Sequence, residues 1–318
     1  MWLIKIFLIL RGKNMFNTNP KKLITYILSI ITFLFVFSTN IVSAKELPTN
    51  NKALTVISKN LITNSESKET YYEGVEPGDK TSGFSNSYIP SKDSSSGRKK
   101  RSILSDSDDR FRVNNTTSFP HSAIASVETI WPYGIVTVGT AWMYGPNIAM
   151  TAGHNLYSDK YGGWPTEILI YPGRNDSSKP FGEVKAITIH VPESFTNNRD
   201  TNFDWGLIEL DKNIGNETGY FGALWKLDSL NDTDITIAGY PAENYTQMWK
   251  MDGNILNSHE YKINYNIDTT GGQSGSPVYL TTDNYLSVAI HTNGDYLKRF
   301  NKGTRITKGI FDFMESFR

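Results

Sequence analysis

The 318-residue sequence contains no cysteine. Disulfides, thiolate zinc sites and cysteine nucleophiles are excluded together. It also has no net charge, since 32 basic side chains balance 32 acidic ones. The balance is uneven along the chain. Residues 1–101 carry 15 Lys and Arg against 7 Asp and Glu, and residues 102–318 carry 17 against 25. The acidic C-terminal part gives no electrostatic reason to expect nucleic-acid binding. Phosphate loops, dinucleotide fingerprints and metal-ligand clusters are missing, so no cofactor is expected. A surface calcium site needs no such motif and stays open. What is present is enough apolar sequence, 38%, to pack a core.

Long apolar runs are confined to the N-terminus. Lys21 and Lys22 precede a mainly apolar stretch from Leu23 to about Phe37, and Val42-Ser43-Ala44 offers small residues for cleavage. This pattern predicts an export signal over 1–44 and a secreted, extracellular protein. The alternative is a membrane anchor, but the run is shorter than the roughly 20 residues that span a bilayer. Once the signal is removed, no membrane association is expected. A second apolar stretch, Trp2 to Leu10, precedes Met15, which offers an alternative start.

Residues 45–101 are polar, and large apolar residues are sparse after Ile62. Such a segment is expected to bury too little surface to offset its ordering entropy. It ends in Ser94-Ser95-Ser96-Gly97-Arg98-Lys99-Lys100-Arg101. A basic run after a serine tract reads as an accessible site for an activating protease, with a solvated charge run or nucleic-acid patch as the alternatives. Residues 45–101 are thus expected to be a pro-segment, and 102–318 the functional domain.

From residue 102 the texture changes. Strand-like stretches recur at 123–130, 135–143, 167–171, 184–191, 205–210, 235–240, 261–267 and 286–291, separated by Gly, Pro, Asn and Asp. This predicts a mostly β fold, a barrel or sandwich. At the C-terminus Ile310, Phe313, Met314 and Phe317 repeat with helical spacing after Thr307, a suitable N-cap.

Three motifs carry chemistry. In Gly271-Gly272-Gln273-Ser274-Gly275-Ser276-Pro277, glycines flank a serine. They permit the tight backbone that exposes a nucleophilic hydroxyl and frees amides, naturally those of Gly272 and Ser274, for an oxyanion. In Ile148-Ala149-Met150-Thr151-Ala152-Gly153-His154, a short apolar strand ends in small residues and an imidazole. Asp204 stands before the apolar stretch Trp205–Leu210. Buried there, its carboxylate needs a partner, and the N–H of His154 would supply one and fix the tautomer. Asp200 is the rival carboxylate, in a more polar setting.

The order His154, Asp204, Ser274 on a β-rich chain resembles the chymotrypsin clan and, more narrowly, the V8-like bacterial glutamyl endopeptidases. Ser107-Asp108-Asp109-Arg110, Tyr171-Pro172-Gly173-Arg174-Asn175, Gly239-Tyr240-Pro241 and Gly303-Thr304-Arg305-Ile306-Thr307 add to the likeness. The resemblance implies two β-barrels, divided near 212–230, with the site between them. It implies a serine endopeptidase that acts on protein or peptide substrates. His154, Asp204 and Ser274 would be its triad, and the amides of Gly272 and Ser274 its oxyanion hole. Thr269 and His291 match the residues that read an acidic substrate side chain in that family. Asp268, six residues before Ser274, matches the pocket carboxylate of members that cut after Arg or Lys. Some relatives have Cys after the triad histidine, where this chain has Asn155. A non-cleaving exported binding protein on the same fold is the reading from another class.

Overall fold

A computed structural model describes residues 52–75, 79–90, 108–295 and 300–318. The signal segment and the basic run ending at Arg101 lie outside the described residues. The strands are β1 Lys52–Asn60, β2 Glu66–Glu73, β3 Ser82–Ser85, β4 Phe111–Arg112, β5 Ile124–Ile130, β6 Val136–Met143, β7 Ile148–Thr151, β8 Glu167–Pro172, β9 Val184–Pro192, β10 Gly206–Leu210, β11 Gly222–Lys226, β12 Asp234–Gly239, β13 Trp249–Ser258, β14 Lys262–Tyr265, β15 Pro277–Leu280, β16 Leu286–Asp295 and β17 Phe300–Arg305. Helices α1 Glu193–Asn198, α2 Gly215–Thr218 and α3 Lys308–Glu315 are short.

Two closed barrels of six strands form the body. The first runs β10-β7-β6-β5-β8-β9 and closes through β9–β10. The second runs β15-β12-β13-β14-β17-β16 and closes through β15–β16. Closure removes the exposed strand edges that an open sheet would present. Ile124, Val127, Ile168, Ile170, Ile189 and Leu207 are fully buried in the strands of the first barrel. Ile235, Ile237, Ile255, Ile263, Val278 and Val288 form the core of the second. The link between them, 211–233, agrees with the division expected from sequence. This is the chymotrypsin-like double barrel with a C-terminal helix. In α3 the Thr307 hydroxyl accepts the Ile310 amide, and Ile310, Phe313 and Met314 are buried.

The segment expected to bury too little surface does otherwise over its described residues. β1 pairs antiparallel with β9, through Val56↔Pro192 to Asn60↔Thr188, and β2 pairs with β1. β3 pairs with β11, which runs parallel to β16. Leu54, Val56, Ile57 and Val75 are buried. Each such side chain is worth roughly 2 kcal/mol on burial. The hydroxyl of Thr307 donates to Glu73 (2.9 Å), and Tyr71 meets Phe313 edge-on at 5.0 Å. The expectation failed because few apolar residues suffice when the part of β9 beyond its pairing with β8 supplies the ladder of backbone partners.

Candidate active site

The first barrel delivers an imidazole and a carboxylate through two short turns. β7 ends at Thr151, and residues 153–155 form a single 3₁₀ turn that carries His154. A second such turn, 201–203, ends at Asp204 just before β10. β7 and β10 are neighbours, paired through Gly206↔Thr151, so the two turns emerge side by side. Asp204 is buried, and its carboxylate holds His154 twice. Oδ1 accepts the backbone N–H at 2.9 Å, and Oδ2 faces Nδ1 at 2.8 Å. The Thr304 hydroxyl steadies the Asp204 carbonyl at 3.0 Å. Asp200, the rival carboxylate, instead caps the 201–203 turn by accepting the Asn202 amide.

Burial opposes charge on both groups, yet their mutual attraction prevails. Burial acts to lower the His154 pKa, but the Asp204 carboxylate lifts it above the ordinary histidine value. Burial acts to raise the Asp204 pKa, but the imidazole, with help from Lys262, holds it below the ordinary value. With Nδ1–H committed to Asp204, the lone pair on Nε2 is available to take a proton.

The second barrel supplies the serine from the loop between β14 and β15. Gly272 and Gly275 have φ of +91° and +93°. A Cβ at Gly275 would sit 1.9 Å from the Thr140 carbonyl, and one at Gly272 would sit 2.4 Å from the Ala242 amide. Only glycine fits either place. The Ala242 amide donates to the Gly271 carbonyl at 2.6 Å. Across the planar trans peptide, the Gly272 N–H therefore points away from Ala242. The Ser274 carbonyl receives the Thr140 amide and Asn155 Nδ2, each at 2.9 Å. Asn155 thus ties the serine to the turn that carries His154. The Ser274 hydroxyl donates to the Thr292 carbonyl at 3.0 Å. Its single proton is engaged there, so in this arrangement it is not donated to His154.

No protein-family model matches the chain. Over 222 residues it is 40% identical to the glutamyl endopeptidase of Bacillus licheniformis, covering 67% of this chain and 68% of that protein. The chain belongs to the glutamyl endopeptidase family. It is a serine endopeptidase. It is also 36% identical over 210 residues to a Bacillus subtilis protein named extracellular metalloprotease, covering 64% of this chain and 66% of that one. Among the described residues no three His, Asp or Glu side chains are grouped to hold a metal ion. The solved structure of a Glu endopeptidase in complex with MPD matches with a TM-score of 0.60 and 28% identity, over 67% of this chain and 97% of that one.

In this glutamyl endopeptidase relative, His291 is buried on β16, and its Nδ1 lies 2.6 Å from the Tyr265 hydroxyl. Burial, with the neighbouring His154, pushes its pKa down to about 3, so the ring is neutral near pH 7. Thr269 stands half-buried in the loop between β14 and β15. Asp268 turns toward the chain's N-terminal side, where its Oδ2 accepts the Asp109 amide at 3.3 Å. Burial and the charges of Asp108 and Asp109 raise its pKa.

Sequence reasoning passed over Arg110 as a functional residue. Its guanidinium donates to Thr270 Oγ1 (2.8 Å), Gln273 Oε1 (2.6 Å) and Glu243 Oε1 (2.9 Å). Gln273, itself buried, also accepts the Thr270 amide at 3.0 Å. The serine loop is therefore clamped by a residue from the start of the functional domain. The motif Ser107-Asp108-Asp109-Arg110 was the available signal, but its target lies about 160 residues away.

Proposed function

We propose that Ser274, His154 and Asp204 form the catalytic triad of a secreted endopeptidase that cleaves after Glu or Asp. The observation that carries this reading is the double hydrogen bond from Asp204 to His154, beside a serine in a glycine-bound loop. Rotation about χ1 carries the Ser274 hydroxyl from Thr292 to His154 Nε2. The oxygen then attacks the peptide carbonyl carbon while Nε2 takes its proton. The carbonyl oxygen gains negative charge, which the amides of Gly272 and Ser274 receive. The C–N bond breaks as His154 returns the proton to the leaving amine, and an acyl-enzyme remains. Water, deprotonated by His154, hydrolyses it and restores the serine.

Thr269 and neutral His291 are the residues that read the acidic side chain, through hydrogen bonds from a hydroxyl and an imidazole N–H. Asp268 is disfavoured as a pocket for Arg or Lys, because its carboxylate is engaged by the Asp109 amide. The chain is made as a zymogen: residues 1–44 direct export, and an activating protease cuts the basic run near Arg101. The segment before it then remains a strand-adding partner of β9 in the first barrel and of β11 in the link between the barrels.

A peptide library supplies the test, using processed protein with Ser274→Ala as control. Cleavage after Glu, absent in the control, is the expected outcome. Cleavage after Arg or Lys would keep the triad and move the pocket to Asp268. Undiminished cleavage by Ser274→Ala would overturn the reading.

A further inference from the structure

A cleft of about 450 Å³ opens beside the site, and neither the triad nor the Thr269 and His291 pocket uses it. One wall is the turn with Thr201 and Asn202, just ahead of Asp204, and another includes Asn293 on β16. Lys262 and Lys302, on neighbouring strands β14 and β17, line it from below. Lys262 is the unusual member. Its Nζ donates to the hydroxyls of Thr304 (2.8 Å) and Thr292 (3.3 Å). Among the described residues no carboxylate lies within ion-pairing distance of it. An ammonium carries three donors, and two hydroxyls leave one for a further acceptor. Burial pulls its pKa down to about 8, against the opposing pull of Asp204, and leaves it largely charged at neutral pH. Glu260 also borders the cleft, but it hydrogen-bonds the Tyr261 hydroxyl, and Asp204 faces His154.

The cleft lies where the acyl side of a substrate must run. The backbone pairing along this edge of β16 runs on to His291, which donates its N–H to the Ser276 carbonyl at 2.9 Å and accepts the Gly275 amide at 2.7 Å. Beyond it, the Ser274 hydroxyl meets the Thr292 carbonyl, so that edge of β16 faces the serine. An extended peptide with its scissile carbonyl on Ser274 can add to this edge as a strand. Its alternate side chains then hang over Asn293 and into the cleft.

We infer that this cleft is a second carboxylate-binding subsite, in which Lys262, aided by Lys302, selects substrates with an additional acidic side chain shortly before the scissile residue. The inference rests on the proposed catalytic role of Ser274. It adds a preference for acidic stretches rather than isolated Glu residues.

The test uses the processed protein carrying Ser274→Ala, so that binding is read without turnover. Fluorescent peptides with Glu at the scissile position carry Glu or Gln at each of the three preceding positions, and anisotropy gives their affinities. At one position Glu is expected to bind about tenfold more tightly than Gln. That preference should collapse in Lys262→Gln and shrink in Lys302→Gln, a second variant that guards against misfolding of the first. Equal binding of Glu and Gln peptides at all three positions, absence of binding included, overturns the inference. So does an undiminished preference in Lys262→Gln. Turnover of the same peptides by the chain with Ser274 intact reports on the catalytic reading separately.

Discussion

The two barrels share a strand order and closure but prepare their functional groups differently. The first barrel presents His154 and Asp204 from two short turns on adjacent strands, so local backbone geometry alone brings them together. The second presents Ser274 from a long loop whose shape depends on remote partners: Arg110 from the N-terminal side, Thr140 and Asn155 from the other barrel, and Ala242 from the loop after β12. The proposed acid–base pair is therefore built in, while the setting of the proposed nucleophile is assembled. The segment 108–110 lies a few residues beyond the proposed cleavage site and holds the assembled half in place.

This contrast can be broken from either side. The largest effect is expected from Asp204→Asn, which leaves the turns intact but imposes the wrong tautomer on His154. Steady-state kinetics should show kcat reduced on the order of 10⁴-fold. The pH profile belongs to the same comparison. The base must be neutral, so the parent's rate should rise with pH through an apparent pKa above 6.5, since Asp204 raises that of His154. An apparent pKa below 6.5 would contradict the pairing.

Arg110→Met attacks the assembled half. It leaves Gln273 and Glu243 without their cationic partner, and kcat/KM should fall roughly 10- to 100-fold as the oxyanion amides lose their setting. Arg110→Lys should rescue little, because an ammonium cannot reproduce the fork that reaches Asp108, Glu243, Thr270 and Gln273 at once. A kcat unchanged in both variants would show that the loop holds its shape unaided. The clamp also predicts acid sensitivity. Burial acts to raise the Glu243 pKa, but its hydrogen bonds, with Arg110, bring it below the ordinary 4.5. The stabilisation is complete above that value and is lost as pH falls through the depressed one.

The smallest effect is expected where the halves meet. Asn155→Ala removes the hydrogen bonds to the Ser274 carbonyl and to Thr151, and should cost about 1–2 kcal/mol in urea unfolding. Unchanged stability would mean that Thr140 alone carries the contact.

Much of the fold was legible in the sequence, because alternating apolar runs and turn residues mark strands locally. β5, β6, β8, β9 and β10 fall within a residue or two of their expected limits. β13 escaped notice because its inward positions carry few large apolar residues beside Met251 and Ile255, and its bulge between Ile255 and Asn257 breaks the alternation that Lys250, Asp252 and Asn254 otherwise keep. β1 and β2 were missed for another reason. Apart from Lys59 and Glu73, their polar residues from Thr55 onward are exposed or half-exposed, and β9, which pairs with β1, is more than 100 residues away, so composition argued against order.

The sequence by itself determined which residue types could perform the chemistry and the order in which they occur. It also placed glycines at 272 and 275, although the reason only glycine fits, backbone of Ala242 and Thr140 within 2.4 Å of any side chain there, comes from the tertiary structure. Only the tertiary structure shows that Asp204, not Asp200, is buried against His154. It also turned Asp268 toward Asp109, linked Arg110 to Gln273, and placed Lys262 unpaired beside the cleft. Each of these depends on a contact between residues far apart in the chain, and such contacts leave no periodic trace in the sequence.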